Sequence, residues 1–175
     1  MPVAIIGYTG SGKSRMMREV ILPQWRKRGV SALILDPVCQ GWGARPPWAW
    51  QTADPYAYLE KAKASRRCVL VVDECKQHVG KSQKIANDLA YIPCVSRNHG
   101  HYVYLMGQRT FHLPPDYRSQ CSEAFLFWQP ELKEAIEAAI MAGLPSSWGH
   151  RIHQLPLGQC YHCRPREAPR LLKVF

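Results

Sequence analysis

The sequence has no long apolar run. Its purely apolar stretches are as short as Val69 to Val72, far below the roughly 20 residues that a helix needs to cross a bilayer. There is no room for a leader, because Val3-Ala4-Ile5-Ile6 already reads as a strand. Neither a membrane span nor secretion is expected. Internal repeats and low-complexity tracts are missing as well. The seven cysteines are odd in number and scattered (Cys39, Cys68, Cys75, Cys94, Cys121, Cys160, Cys163), which disfavours a disulfide framework and fits a reduced chain. Acids are scarce: 13 Asp and Glu stand against 23 Lys and Arg, a net charge of +10 and a pI near 9.5. A small domain this basic usually meets a polyanion. What remains is ordinary: 175 residues, 46% hydrophobic and 21% charged, enough for one domain with one core and too little for a multidomain machine.

Short apolar strands alternate with amphipathic helices. Strands are predicted at Val3 to Gly7, Ser31 to Leu35, Cys68 to Val72, Tyr102 to Met106 and Ala124 to Trp128. A helix is predicted from Lys13 to Arg28, kinked or stopped by Pro23. Its last residues, Arg26-Lys27-Arg28, suit the negative end of the helix dipole. Pro55 to Ala64 is a second helix, with Asp54 as N-cap and Pro55 at its first position. Gln83 to Arg97 is a third, disturbed at Pro93, and Glu131 to Ala142 a fourth, closed by Gly143. Val38 to Thr52 and Lys76 to Lys84 read as loops. Gln159 to Cys163 and Leu171 to Phe175 read as a terminal β-hairpin. The expected fold is α/β, a mostly parallel sheet covered on both faces. Its core is expected at about 1–143, with a C-terminal extension at about 144–175.

Gly7-Tyr8-Thr9-Gly10-Ser11-Gly12-Lys13-Ser14 follows a strand, opens a helix and fits G-x-x-x-x-G-K-[ST] at every position. Glycines let the backbone turn its N–H groups onto a phosphate, and the helix N-terminus adds its positive dipole end. Lys13 neutralises the β- and γ-phosphates and the Ser14 hydroxyl ligates Mg²⁺. Gly7, Thr9, Gly10, Ser11, Gly12, Lys13 and Ser14 are therefore the expected nucleotide contacts. The strand Cys68 to Val72 ends in Asp73-Glu74. Ligands of a parallel sheet sit beyond the carboxyl ends of its strands, so both acids should emerge near the phosphate loop. Asp73 is expected to hold Mg²⁺, and Glu74 to polarise the attacking water as general base. The next strand ends at Gln108, an amide placed to contact the γ-phosphate or that water.

Ser96-Arg97-Asn98-His99-Gly100-His101-Tyr102-Val103-Tyr104-Leu105-Met106-Gly107-Gln108-Arg109, then Leu113-Pro114-Pro115 and Arg118, complete a pattern with these motifs. From about Val3 to Trp128 the chain resembles the FtsK/HerA superfamily of P-loop ATPases. It is most similar to the small genome-packaging ATPases of tailless, membrane-containing icosahedral viruses. That resemblance implies a three-layer RecA-like core with the Gln108 strand between the phosphate-loop strand and the Asp73 strand. It implies ATP and Mg²⁺ as cofactors, and an ATP-driven DNA translocase acting in the host cytoplasm or with the virion. It further implies a homo-oligomeric ring, usually a hexamer, around DNA held without sequence preference, docked on capsid or internal-membrane proteins at a packaging vertex. ATP would lie between subunits, completed by a neighbour's arginine. Arg97 matches the family's position best, then Arg118, then Arg109.

The stretch after Glu74 carries Lys76, Lys81 and Lys84 and no acid from Cys75 to Asn87. It is expected to grip DNA phosphates in the ring's channel. Trp42, Trp48 and Trp50 form either a docking surface or a loop folded onto the core. His150, His153, Cys160 and Cys163 have the spacing of zinc ligands, but strand alternation sends Cys160 and Cys163 to opposite faces, so zinc is not expected. A filamentous-phage assembly or toxin-like ATPase of the same superfamily and a P-loop metabolite kinase are the rival readings. The first usually carries a membrane span, and the second would not need Glu74.

Overall fold

Alternate residues of the apolar strands face two separate cores, one on each side of a single sheet. The computed structural model describes residues 2–38, 42, 48–79 and 83–175. Its strands are β1 (Val3–Ile6), β2 (Ala32–Leu35), β3 (Ala49–Thr52), β4 (Val69–Val72), β5 (Tyr102–Gly107), β6 (Glu123–Phe127), β7 (Gln159–Cys163) and β8 (Arg170–Lys173). They lie in the order β3-β2-β4-β5-β1-β6-β7-β8. The first six are parallel, and β7 and β8 add an antiparallel hairpin at one edge. The hairpin expected at the C-terminus is present and joins the main sheet. The strand carrying Gln108 lies between β1 and β4, as the family resemblance implies.

Helices cover both faces. Val3, Ile5, Ile34, Val71 and Phe125 pack under Met16, Met17, Ile21 and Leu22, from a helix that runs as α1 (Lys13–Met16), a π turn (Met17–Ile21) and α2 (Leu22–Lys27). Ala4, Ile6, Leu35, Leu70, Val72 and Leu126 face α3 (Pro55–Ala64), through Tyr58 and Leu59. They share that core with α4 (Cys75–Val79), α5 (Gln83–Leu89), α6 (Tyr91–Cys94), α7 (Pro115–Gln120), α8 (Leu132–Met141) and α9 (Trp148–His153). β1, β2 and β4 are buried along their full length, which is why they read as unbroken apolar runs. Pro23 neither stops the first helix nor stands in its regular interior. Its missing N–H and its ring conflict with the carbonyl of Glu19, and the ladder slips into the π turn that contains Glu19.

Local chemistry explains two helix ends. Asp54 Oδ1 accepts from Tyr56 N–H at 2.9 Å and caps α3. Gly143, at φ +75°, ends α8 in a Schellman turn: its N–H reaches Ile140 and that of Leu144 reaches Ala139, both at 2.9 Å. Three expectations need correcting. Residues 49–52 form a strand, not a loop. Among the described residues it is a short edge strand paired with β2 alone, and the surrounding Gly, Pro and Trp hide its pattern. The stretch after Glu74 begins as helix α4, because Cys75 plugs the core beneath it. His150 to His153, for which no element is predicted, belong to α9, packed on α8. The tryptophans fold inward: Trp42 is buried, and Trp48 and Trp50 pack against the cores.

Candidate active site

The phosphate loop leaves β1 at the centre of the sheet. Its shape depends on glycine at two positions. A β-carbon on Gly7 would sit 2.3 Å from that of Phe127, and Gly12 holds φ +113° directly before α1. The Ser11 hydroxyl is buried and has no hydrogen-bond partner among the described residues. A buried donor left unpaired is costly, and a phosphate oxygen would satisfy it. Lys13 Nζ donates to the carbonyls of Gly7 (2.6 Å) and Tyr8 (3.2 Å) across the mouth of the loop. Burial pulls its ammonium down, while Glu74 and Asp73 hold it up. The loop thus carries an orphan hydroxyl and a cation at the start of α1, which fit a triphosphate.

The candidate hydrolytic groups stand on the next two strands on one side of β1, first β5 and then β4. Asp73 and Glu74 follow β4, and Gln108 follows β5; the strands are parallel, so all three emerge at the edge where the loop lies. Asp73 Oδ1 accepts from Glu74 N–H at 2.9 Å. Glu74 holds φ +47°, a left-handed conformation that costs a non-glycine residue roughly 1–3 kcal/mol. The twist aims its carboxylate toward β5, where Gln108 Nε2 donates to Oε1 at 3.2 Å and Oε2 at 3.3 Å. Asp73 is pushed up to about 6 by burial, then by Glu74 and Asp36, with Lys13 opposing. Two acids act on the one ammonium and Asp36 adds a third negative charge beside Asp73, so the site welcomes a further cation. The hydroxyl of Ser14 and the carboxylate of Asp73 are hard oxygen donors, the kind Mg²⁺ prefers.

Several residues here escaped the sequence reading. Asp36 ends β2 as Asp73 ends β4, and its carboxylate accepts from Gln51 Nε2 (2.9 Å) and Val38 N–H (3.0 Å). An acid closing an apolar strand was the available signal. Gln129, fully buried just after β6, donates to the carbonyl of Gln108 at 2.9 Å, and its own carbonyl accepts from His153 Nδ1 at 3.0 Å. That chain of bonds ties the Gln108 backbone to α9. Arg109 Nε pairs with buried Glu134 of α8 at 2.8 Å. His112 is driven down to about 4 by burial, then by Lys76, Arg109 and Lys13, and is neutral near pH 7.

Arg97 lies elsewhere. It is exposed in the 3-10 turn Ser96–His99 that precedes β5. It therefore sits at the sheet edge opposite the phosphate loop, separated by the length of β5, about 20 Å at ~3.3 Å per residue. Arg118 is half-buried on α7. Lys76 is exposed on α4 and Lys84 on α5, while Lys81 lies outside the described residues. Cys160 packs into the core with Met16 and Phe127, and Cys163 into the opposite core. The six described cysteines are unpaired, and burial pushes the Cys121, Cys160 and Cys163 thiols up to about 12. No cluster of three His, Cys, Asp or Glu able to hold a metal occurs among the described residues. None of the described helices is long and apolar enough to cross a membrane.

Fold and site together define a RecA-like P-loop NTPase core. No protein-family model and no curated protein matches the chain. Solved structures do. The DNA-packaging ATPase B204 of Sulfolobus turreted icosahedral virus superposes with TM-score 0.75 at 18% identity, over 98% of this chain and 96% of that one. The genome-packaging NTPase B204 of Sulfolobus turreted icosahedral virus 2, in complex with AMPPCP, gives 0.77 at 17% identity over the same shares. The pCW3 conjugation coupling protein TcpA gives 0.73 at 15% identity, but this chain spans only 59% of it. The chain shares the fold of these ATPases.

Proposed function

We propose that the chain is an ATP-hydrolysing DNA translocase that drives a viral genome into a preformed capsid. The observation carrying this reading is the shared edge of β1, β4 and β5, where Lys13, Asp73, Glu74 and Gln108 converge. The likeness in fold to the viral packaging ATPases supports the packaging role.

In this reading Gly7, Thr9, Gly10, Ser11 and Gly12 wrap the triphosphate and Lys13 meets its outer phosphates. Ser14 and Asp73 hold Mg²⁺, which neutralises charge on the phosphoryl oxygens when bound. Glu74 takes a proton from the attacking water, and Gln108 keeps that carboxylate aimed. Arg97, too far from its own phosphate loop, stabilises the γ-phosphoryl bound by an adjacent copy, with Arg118 the alternative donor. The copies are read as forming a closed ring, a hexamer, in which each arginine reaches the next site. Lys76, Lys81 and Lys84 hold DNA phosphates in its channel, and Lys76 follows Glu74 by two residues. The ring acts in the host cytoplasm and docks on capsid or internal-membrane proteins.

The test is ATPase rate against added DNA, with particle size measured in the same samples. DNA should raise the rate in ring-sized particles, and the gain should fall steeply with salt. Equal rates with and without DNA, in a protein that stays monomeric with every nucleotide, would overturn the reading.

A further inference from the structure

The C-terminal hairpin forms one side of the phosphate loop. Gly158 N–H, just before β7, donates to the carbonyl of Ser11 at 3.1 Å. Val174 N–H, just after β8, donates to the carbonyl of Gly158 at 2.7 Å. These bonds set Phe175 against the loop. A β-carbon added to Gly12 would lie 3.0 Å from its ring, and one added to Gly158 2.8 Å. With Gly10, Gly12, Lys13, Ser14 and Arg15, the ring lines an open pocket of about 220 Å³.

Strand order decides which end of a nucleotide lies there. Glu74 and Gln108 are on the β4–β5 side of β1, and Phe175 is on the β6–β7–β8 side. Hydrolysis requires the γ-phosphate beside Glu74. The triphosphate then crosses the loop, and the nucleoside leaves it on the side of Phe175. The ring is apolar and 44% exposed. It already carries a flat group, for the Arg15 guanidinium carbon lies 4.4 Å from its centroid. Arg15 is also paired with Glu19 at 2.8 Å, and both side chains are about half exposed. An ion pair this open is weak, so the guanidinium yields its place readily.

We propose that Phe175 is the base platform of the nucleotide pocket: the base of a bound nucleoside triphosphate stacks on its ring, where the Arg15 guanidinium lies here. This deepens the nucleotide reading above and rests on it. Stacking recognises a flat face and not a pattern of donors and acceptors. The platform therefore ranks ligands by ring area: purine first, pyrimidine next, a triphosphate without a base last.

The experiment measures equilibrium binding of ATP, UTP and inorganic tripolyphosphate, each with Mg²⁺, to the full chain and to Phe175→Ala, Phe175→Leu and Phe175→Tyr. Leu keeps an apolar contact against Gly12 and Gly158, so it preserves the hairpin without an aromatic face. Ala and Leu should each weaken ATP about tenfold, flatten the preference for ATP over UTP and leave tripolyphosphate unchanged. Tyr should restore ATP. Unchanged or tighter ATP binding in Ala and Leu overturns the proposal. Equal loss of ATP and tripolyphosphate does so too, since the ring would then only prop the loop. If the unaltered chain binds neither ATP nor tripolyphosphate, the nucleotide site itself is refuted, and the platform with it.

Discussion

Gln108 gives its side-chain amide to both carboxylate oxygens of Glu74, at 3.2 and 3.3 Å. The two residues stand at the ends of neighbouring parallel strands, and Glu74 adopts a left-handed backbone at the point of contact. The carboxylate proposed to activate water is therefore oriented before any nucleotide arrives.

Glu74→Gln should bind ATP as tightly as the unaltered chain and lose turnover by about 100-fold or more, the usual worth of a general base. Phosphate release and equilibrium binding, measured side by side, check this. Undiminished hydrolysis would remove Glu74 from the role of base.

Gln108→Ala should lower kcat and leave KM nearly unchanged, because the amide positions Glu74 and does not hold the substrate in this arrangement. A loss of roughly tenfold or more is expected from misplacement of the base. Raised KM with normal kcat would mean that Gln108 is a binding contact instead.

Arg97 lies at the wrong edge of the sheet to serve its own phosphate loop. Arg97→Ala and Glu74→Gln subunits, each inactive alone, should therefore recover activity when mixed, since some interfaces then pair an intact arginine with an intact carboxylate. No recovery at any mixing ratio would assign the finger to Arg118 or to no arginine.

Asp73 costs the empty protein stability. Its carboxyl is raised from 3.8 to about 6, so the folded state holds the proton more tightly than the unfolded chain, and stability falls as pH rises between about 4 and 6. Above that window the ionised, buried acid costs on the order of 2–3 kcal/mol. Asp73→Asn keeps an oxygen for the Glu74 N–H and removes the charge. It should raise the nucleotide-free melting temperature at pH 7, with the gain shrinking to nothing below about pH 4. Thermal unfolding across that range tests it, and a variant less stable at pH 7 would contradict it.

The places where sequence reading fell short share one cause. Residues 49–52 are a strand because β2 offers them an edge, and nothing in Ala49-Trp50-Gln51-Thr52 announces it. Cys75 begins a helix after a non-glycine left-handed residue, an unfavourable local choice that the site imposes on Glu74. Gln129 and Glu134 read as ordinary polar residues at a loop and on a helix. Their importance lies in burial beside Gln108 and Arg109.

From consecutive residues alone came the phosphate loop, the strand-end acids and the alternation of buried strand with helix. Glycine conformations, a helix start and an apolar run are each local, so neighbouring side chains suffice to specify them. Which distant groups meet was settled only by tertiary structure: Asp36 beside Asp73, Gln108 on Glu74, Arg97 at the far edge, Phe175 against Gly12. Those meetings follow from strand order and from the hairpin's return to the loop. Both are decided by how two cores pack on one sheet, a balance spread over the whole chain and spelled out in no short stretch of it.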